Sequence, residues 1–462
     1  MSKAGKKNKI FYGWLIVAGC FIIMGMSYGA INNCMGVFIK PVCEDMGFSR
    51  AGMGLTQTIL SASLMVMSLV SGRVFSRLDV TLALRISSIF MAGGYFCFSF
   101  ARSLPMFYGA ALVTGVAEGM ITTVALSMLI NNWFHTRRGF AVGMAFMGSG
   151  VGGMICNPLA SQLIIHYGWR TAYQILAVMI FLLVVPVCFF IIRTRPADKG
   201  LLPYGETGDK KEDFSQVEKQ GVYYRQAVRT PQFWVICICA ALNTICTSGL
   251  MQNTAPHVSD VGYSPTFAAS VASCGMGALA IGKLALGWLY DKLGAEKATV
   301  VAHISAGVAL AGALMAPAMP GIGLIVLGTG LGGAFGNVAH PIIAQIVYGN
   351  RDFGSILGMI SAFANIGGML CPVLVGGSYD VLHSYKPAFS AMIVLLCLIT
   401  LAYMWAFRTQ DKALEKRGFV VAREEKIDIL IKALRGYAPI VKWIEQPPPN
   451  KGPVRMVEPR KN

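Results

Sequence analysis

The chain has 462 residues, of which 55% are hydrophobic and only 13% charged, with a mean hydropathy of +0.58. Soluble globular proteins carry roughly a quarter of charged residues, so that class is excluded. The net charge of +17 does not point to nucleic acid either. The basic residues stand between long apolar blocks on alternate sides, which is the composition of a polytopic membrane protein.

In chain order, Met1 to Lys9 is basic, but the apolar run behind it, Tyr12 to Phe38, is too long for a signal core. It lacks a small-residue cleavage site and reads as the first span. Runs able to cross a hydrocarbon layer ~30 Å thick fall at 12–38, 52–75, 82–100, 105–130, 140–163 and 171–192. Six more follow at 232–255, 265–290, 298–318, 320–347, 354–377 and 388–407. Twelve spans put both termini on one side. The connectors on that side hold Lys3, Lys6, Lys7, Lys9, Arg73, Arg77, Arg137, Arg138, Arg193, Arg195, Lys199, Lys292 and Lys297. The opposite connectors are poorer in Lys and Arg. The positive-inside rule therefore makes the termini cytoplasmic, in a multi-pass protein of an inner or plasma membrane.

The expected organisation is a six-helix half at 1–193, a polar cytoplasmic linker at 194–230, a second half at 231–407 and a charged cytoplasmic tail at 408–462. Within the tail, 423–434 spaces its apolar residues as a short amphipathic helix for the inner leaflet, or as a solvated or partner-bound segment. Pro447 onward reads as disordered. The twelve cysteines sit mostly inside spans as small packing residues. Cys237 and Cys239 share one span without the company a metal site needs. No metal and no cofactor is expected.

The halves repeat one another. An offset of 215 positions sets Gly72 on Gly287, Arg77 on Lys292, Thr114-Gly115 on Thr329-Gly330 and Gly143-Met144 on Gly358-Met359. It also aligns Gly152-Gly153-Met154-Ile155-Cys156 with Gly367-Gly368-Met369-Leu370-Cys371. Duplicated halves in parallel orientation suit a secondary transporter whose site lies where they meet, near the midplane.

Two fully charged residues lie deep in spans. Lys283 stands eight residues before Asp291, about 12 Å into the layer at ~1.5 Å per residue. A charge there costs at least ~2.5–3.5 kcal/mol and persists only against protein or water, with a task. It is expected to meet an anionic substrate; a structural ion pair, or snorkelling to the inner interface, stands beside that. Glu118, mid-way along span four, is the candidate proton carrier; the alternative is a helix–helix hydrogen bond made in its protonated form.

The loop Gly287-Trp-Leu-Tyr-Asp291-Lys292-Leu-Gly294 and its degraded copy, Gly72-Arg-Val-Phe-Ser76-Arg77-Leu-Asp79, resemble the loop signature of the major facilitator superfamily. The resemblance covers 10–407 and implies the fold: an all-α membrane protein of twelve transmembrane helices in two pseudo-symmetric six-helix halves. Within the superfamily the chain is most similar to the oxalate/formate antiporters and the monocarboxylate transporters. Phe11-Tyr12-Gly13-Trp14, Trp133-Phe134-His-Thr-Arg137-Arg138-Gly139 with Gly148-Ser-Gly150-Val-Gly152, and the base at Lys283 carry this likeness. Three departures accompany it. No Lys or Arg stands in 353–377, where the oxalate carriers hold a second base. Asn33 falls where the monocarboxylate carriers hold a lysine, and Gly115 where the superfamily holds an arginine. One deep base rather than two favours a monoanion.

The resemblance further implies that spans one, four, seven and ten line the cavity. Their polar residues Tyr28, Asn32, Asn33, Asn243, Asn337 and His340 are expected to join Lys283 at the substrate, with Thr122, Thr123, Thr247, Gln252 and Asn253 as further candidates. The others make ordinary interhelical hydrogen bonds, which for His340 means donating as a neutral ring to a neighbouring helix. Asp291, Lys292, Arg77 and Arg138 form the expected gate, with Asp291 near the amino terminus of span eleven and Ser76 facing span five.

No phosphate-binding loop and no nucleophile triad occurs, so enzyme chemistry is not expected. The expected function is secondary transport of small organic anions, monocarboxylates above all, by proton symport or anion exchange with alternating access. Its partners are the anion, a proton or counter-anion and membrane lipid, with the protein a monomer and nucleic acid excluded. Rivals are a major facilitator for a neutral or cationic solute such as a drug or sugar, and a transport-inactive membrane sensor.

Overall fold

Hydrocarbon offers no water to backbone N–H and C=O groups, so apolar runs of this length must satisfy them internally, as helices. The computed structural model describes residues 11–205 and 221–415. The basic stretch at 3–9, the middle of the linker and the tail helix expected at 423–434 lie outside the described residues. The described residues up to Ala413 pack as one compact unit.

Ten helices among the described residues are long and apolar enough to cross a membrane. Spans one to four are Tyr12–Met46, Gly52–Phe75, Val80–Phe100 and Leu104–Trp133. Spans five and six form Arg138–Ile191, broken at Gly168 with φ 78°. Span seven is Pro231–Asp260, and spans eight and nine form Thr266–Leu314, broken at Gly294 with φ 76°. Spans ten to twelve are Met319–Tyr348, Phe353–Cys371 and Lys386–Gln410. Each break needs a left-handed residue, which glycine adopts without the Cβ penalty. With both long helices counted double, the ten elements carry the twelve expected crossings.

The outer surface is studded with exposed apolar side chains, among them Leu182, Phe190, Ile281, Leu327, Val394 and Leu401. Soluble proteins rarely expose such a belt. The halves meet along two pairs, span five on span eight and span two on span eleven. At the first crossing, a Cβ on Gly143 would come within 2.4 Å of the Lys283 carbonyl oxygen, and one on Gly139 within 2.2 Å of that of Gly287. Only bare backbone fits there, so these glycines let the halves close on one another.

Two helices depart from regularity near the interior. Span one is π-helical over Gly25–Asn33, a form that recurs at functional sites. Span four breaks at Thr122 (φ −99°, ψ −122°), between Leu104–Ile121 and Thr123–Trp133.

The linker is clamped at both ends by the repeat. Tyr204 pairs with Phe134, and Gly221 with Gly349, through isolated bridges; Phe134 and Gly349 share the offset of 215. Phe11, Trp14 and Phe134 then pack around the Tyr204 ring at centroid distances of 5.3, 5.8 and 5.6 Å. Two of the motifs that carry the family likeness thus hold the linker to the first half.

Candidate functional site

Between the halves lies a cavity of about 210 Å³ lined by residues of spans one, five, seven, eight, ten and eleven. Drug-sized ligands occupy roughly 300–1,000 Å³, so this space suits a smaller molecule. Lys283 forms part of its wall and is 2% exposed. Its ammonium donates to the Ser149 hydroxyl at 2.5 Å, from span eight across to span five. Ser149 in turn donates to the Phe146 carbonyl at 2.9 Å, which fixes the hydroxyl's direction. Among the described residues no carboxylate lies within ion-pair distance of Lys283. An ammonium has three protons and this one finds a single acceptor among the described residues, so a carboxylate entering the cavity meets a cation with protons to donate.

Of the expected substrate residues, Tyr28, Asn33 and Asn337 line the same cavity with Lys283. Asn33 also donates to the Ser149 carbonyl at 3.4 Å. Span seven contributes Thr244, Thr247, Ser248 and Met251, one helical face at i, i+3, i+4 and i+7. Met251, Met276 and Leu279 give the wall an apolar side. A cation and apolar side chains together on the wall of one small cavity are the complement of a short amphiphilic anion. Ser149, Thr244, Ser248 and Asn365 were not expected; a face count from Thr247 would have found the two on span seven.

Asn32, Asn243 and His340 are not among the lining residues. Asn32 donates to the Glu118 carboxyl at 2.5 Å and accepts from Gln57 at 3.5 Å, so it is committed to a carboxyl instead of the cavity. Asn243 is fully buried one position off the lining face of span seven, with both side-chain polar atoms unpartnered. His340 lies 5.8 Å from the Phe335 ring, which in turn packs on His303 of span nine and Tyr403 of span twelve. It faces the interior of the second half.

Glu118 is fully buried. One carboxyl oxygen takes the Asn32 amide and the other has no partner. Thr122, at the break in span four, donates to the Glu118 carbonyl at 2.8 Å. Tyr28 lies close enough to Glu118 to feel its charge, and it also lines the cavity.

The gate differs from expectation in its pairing. Asp291 does not sit at the start of span eleven. Its two carboxylate oxygens accept from the Gly139 and Phe140 N–H groups, at 2.7 and 2.8 Å, at the start of span five. These are first-turn donors that the helix itself cannot use, and the helix dipole adds attraction. It is Gly72, not Gly287, that packs on the start of span eleven, against Gly354 and Ser355. Ser76 beside it donates to its own helix, to the Arg73 carbonyl at 2.7 Å. Each loop thus reaches the half opposite its own, and the two loops are exchanged relative to the expected pairing. Lys292 lies over the Trp288 ring at 4.7 Å, Arg138 bonds the Phe134 carbonyl, and Arg77 is exposed. Of the four expected gate residues, Asp291 ties one half to the other by hydrogen bonds, and Arg138 at the start of span five attracts its carboxylate.

The chain matches the model of the Major Facilitator Superfamily over residues 17–347. It is 25% identical to monocarboxylate transporter 12-B of Danio rerio over 403 residues, 82% of this chain and 83% of that one. It is 24% identical to monocarboxylate transporter 12 of Mus musculus over 411 residues, 84% and 82% of the two chains. Its fold resembles the E. coli fucose:proton symporter with a TM-score of 0.64 at 15% identity, over 86% of this chain and 99% of that chain. The proton:xylose symporter XylE gives 0.66 at 13% identity, over 86% and 96%; identities this low speak for the fold alone. Matched over most of its length and folded as the family folds, the chain is a multi-pass membrane transporter, not an enzyme, and belongs to the major facilitator superfamily.

Proposed function

We propose that the protein is a secondary transporter of small organic anions, most of all monocarboxylates, working by proton symport or anion exchange through alternating access about Lys283. The observation that carries the proposal is a buried ammonium on the wall of a small cavity, bonded to a hydroxyl of the other half and, among the described residues, to no carboxylate. A permanent structural pair would satisfy such a charge within the protein; this one is left to be satisfied by cargo. The relatives in Danio rerio and Mus musculus, both monocarboxylate transporters by name, support the same class. With the termini cytoplasmic, in the cell membrane, as the positive-inside asymmetry supports, the Asp291 latch closes the cytoplasmic end. The arrangement is then an outward-facing or occluded step of the cycle.

Glu118 is the proposed proton carrier. It has an unpartnered oxygen and a partner, Asn32, able to adjust to either protonation state. The test is uptake of labelled short monocarboxylates by proteoliposomes with and without an imposed pH gradient. Wild type should accumulate a monocarboxylate when the gradient is inward and acid outside. Glu118→Gln should lose that accumulation and keep exchange against the same anion inside. Accumulation that survives in Glu118→Gln places coupling elsewhere, and uptake indifferent to competing carboxylates removes the organic-anion proposal itself.

A further inference from the structure

A second and much larger cavity, of about 1350 Å³, opens at the linker end, between the two halves. Its walls carry Arg73 and Arg77 from the first half, and Arg225 and Arg351 from the second. The carboxylates in the same walls are engaged with neutral donors. Asp79 accepts from the Thr194 hydroxyl at 2.5 Å, Asp198 from the Arg195 N–H at 3.0 Å, and Asp352 from the Tyr224 N–H at 2.8 Å. Among the described residues no carboxylate comes within ion-pair distance of any of the four guanidiniums. Arg351 is stacked over the Tyr223 ring at 3.8 Å, which holds its planar fork in place. Counting Arg195, the walls carry five guanidiniums against three carboxylates, a net positive field that a single carboxylate would neutralise only in part, and the space is several times that of the Lys283 cavity.

We infer that this cavity binds a small polyphosphorylated anion, held by Arg73 and Arg77 on one side and Arg225 and Arg351 on the other. Guanidinium forks match phosphate oxygens two at a time, and a ligand with several phosphates reaches both walls at once. Bound across the halves, it holds this end closed and opposes the opening that transport requires, because it favours one state of a two-state cycle. The inference does not rest on the identity of the cargo. Two sources carry the same chemistry, a soluble polyphosphate and a phosphoinositide headgroup at the inner leaflet.

The experiment is thermal unfolding of the full chain. One arm adds inorganic tripolyphosphate to protein in neutral detergent. The other compares nanodiscs of phosphatidylcholine with and without a bisphosphorylated phosphoinositide. Wild type should show a saturating rise in Tm in at least one arm; the soluble arm alone assigns a soluble ligand and the lipid arm alone a headgroup. Arg73→Gln and Arg351→Gln, one from each wall, should each weaken the response about tenfold, and Arg351→Lys less. Stabilisation by a transported carboxylate, read on the same samples, should be unchanged, which separates this site from the Lys283 cavity and shows that the variants fold. No rise in either arm, or an equal rise in wild type and both glutamine variants, would overturn the inference.

Discussion

Replacing Lys283 with glutamine should all but eliminate anion binding. A charged hydrogen bond in a partly dehydrated cavity contributes ~1.5–3 kcal/mol. Losing the cation also leaves the incoming carboxylate buried and unpaired, which costs about 3–5 kcal/mol. The second cost dominates, and together they weaken binding by roughly three orders of magnitude or more. The fold should survive, because Lys283 has Ser149 as its one hydrogen-bond partner and glutamine can still donate to that hydroxyl. Lys283→Arg keeps the charge, and its planar fork suits carboxylates, so it should retain part of the binding and broaden selectivity. Monocarboxylates should outcompete oxalate, since the cavity presents a single base. Ligand-induced thermal stabilisation of wild type and both variants across a carboxylate panel reads all of this. Wild-type stabilisation in Lys283→Gln would make the lysine structural.

The second large effect is expected at the latch. Asp291→Asn removes the charge that two first-turn N–H groups and a helix dipole share. It also replaces one accepting oxygen by an amide that can only donate toward another donor. The charge–dipole attraction is worth up to ~2 kcal/mol in partly buried geometry, and the mismatched donor adds about 1–3 kcal/mol. The linker end should therefore open more often, and a cysteine placed in the crossing of spans five and eight should label faster there. Ser76→Ala should change little, because the Ser76 hydroxyl serves only its own helix. Equal labelling and equal transport in the two variants would contradict this asymmetry.

The burial of Lys283 on the cavity wall was legible in the sequence because a lone charge in an apolar run must face protein or water instead of lipid, and the burial of Glu118 for the same reason. Ser149 was not, since a serine in a glycine-rich run carries no signal until its neighbour across the halves is known. The residues of span seven show a different limit. Membership of a cavity-lining span was legible, but Asn243 lies one position, about 100°, off the face that Thr244 and Thr247 present. His340 was lost similarly, to the ring cluster of Phe335, His303 and Tyr403. The offset of 215 revealed the duplication, and with it the fold. It could not say which half each loop would grip, because a pseudo-symmetric pair offers two equivalent helix starts. Hence Asp291 was expected on span eleven and is found on span five.

Counterflow tests the central claim most directly, because exchange of a labelled anion requires the site and its alternation but no driving gradient. Proteoliposomes loaded with an unlabelled short monocarboxylate should take up the labelled form rapidly with wild-type protein, at background with Lys283→Gln and at an intermediate rate with Lys283→Arg. Exchange by Lys283→Gln at the wild-type rate would contradict an anion site built on that lysine.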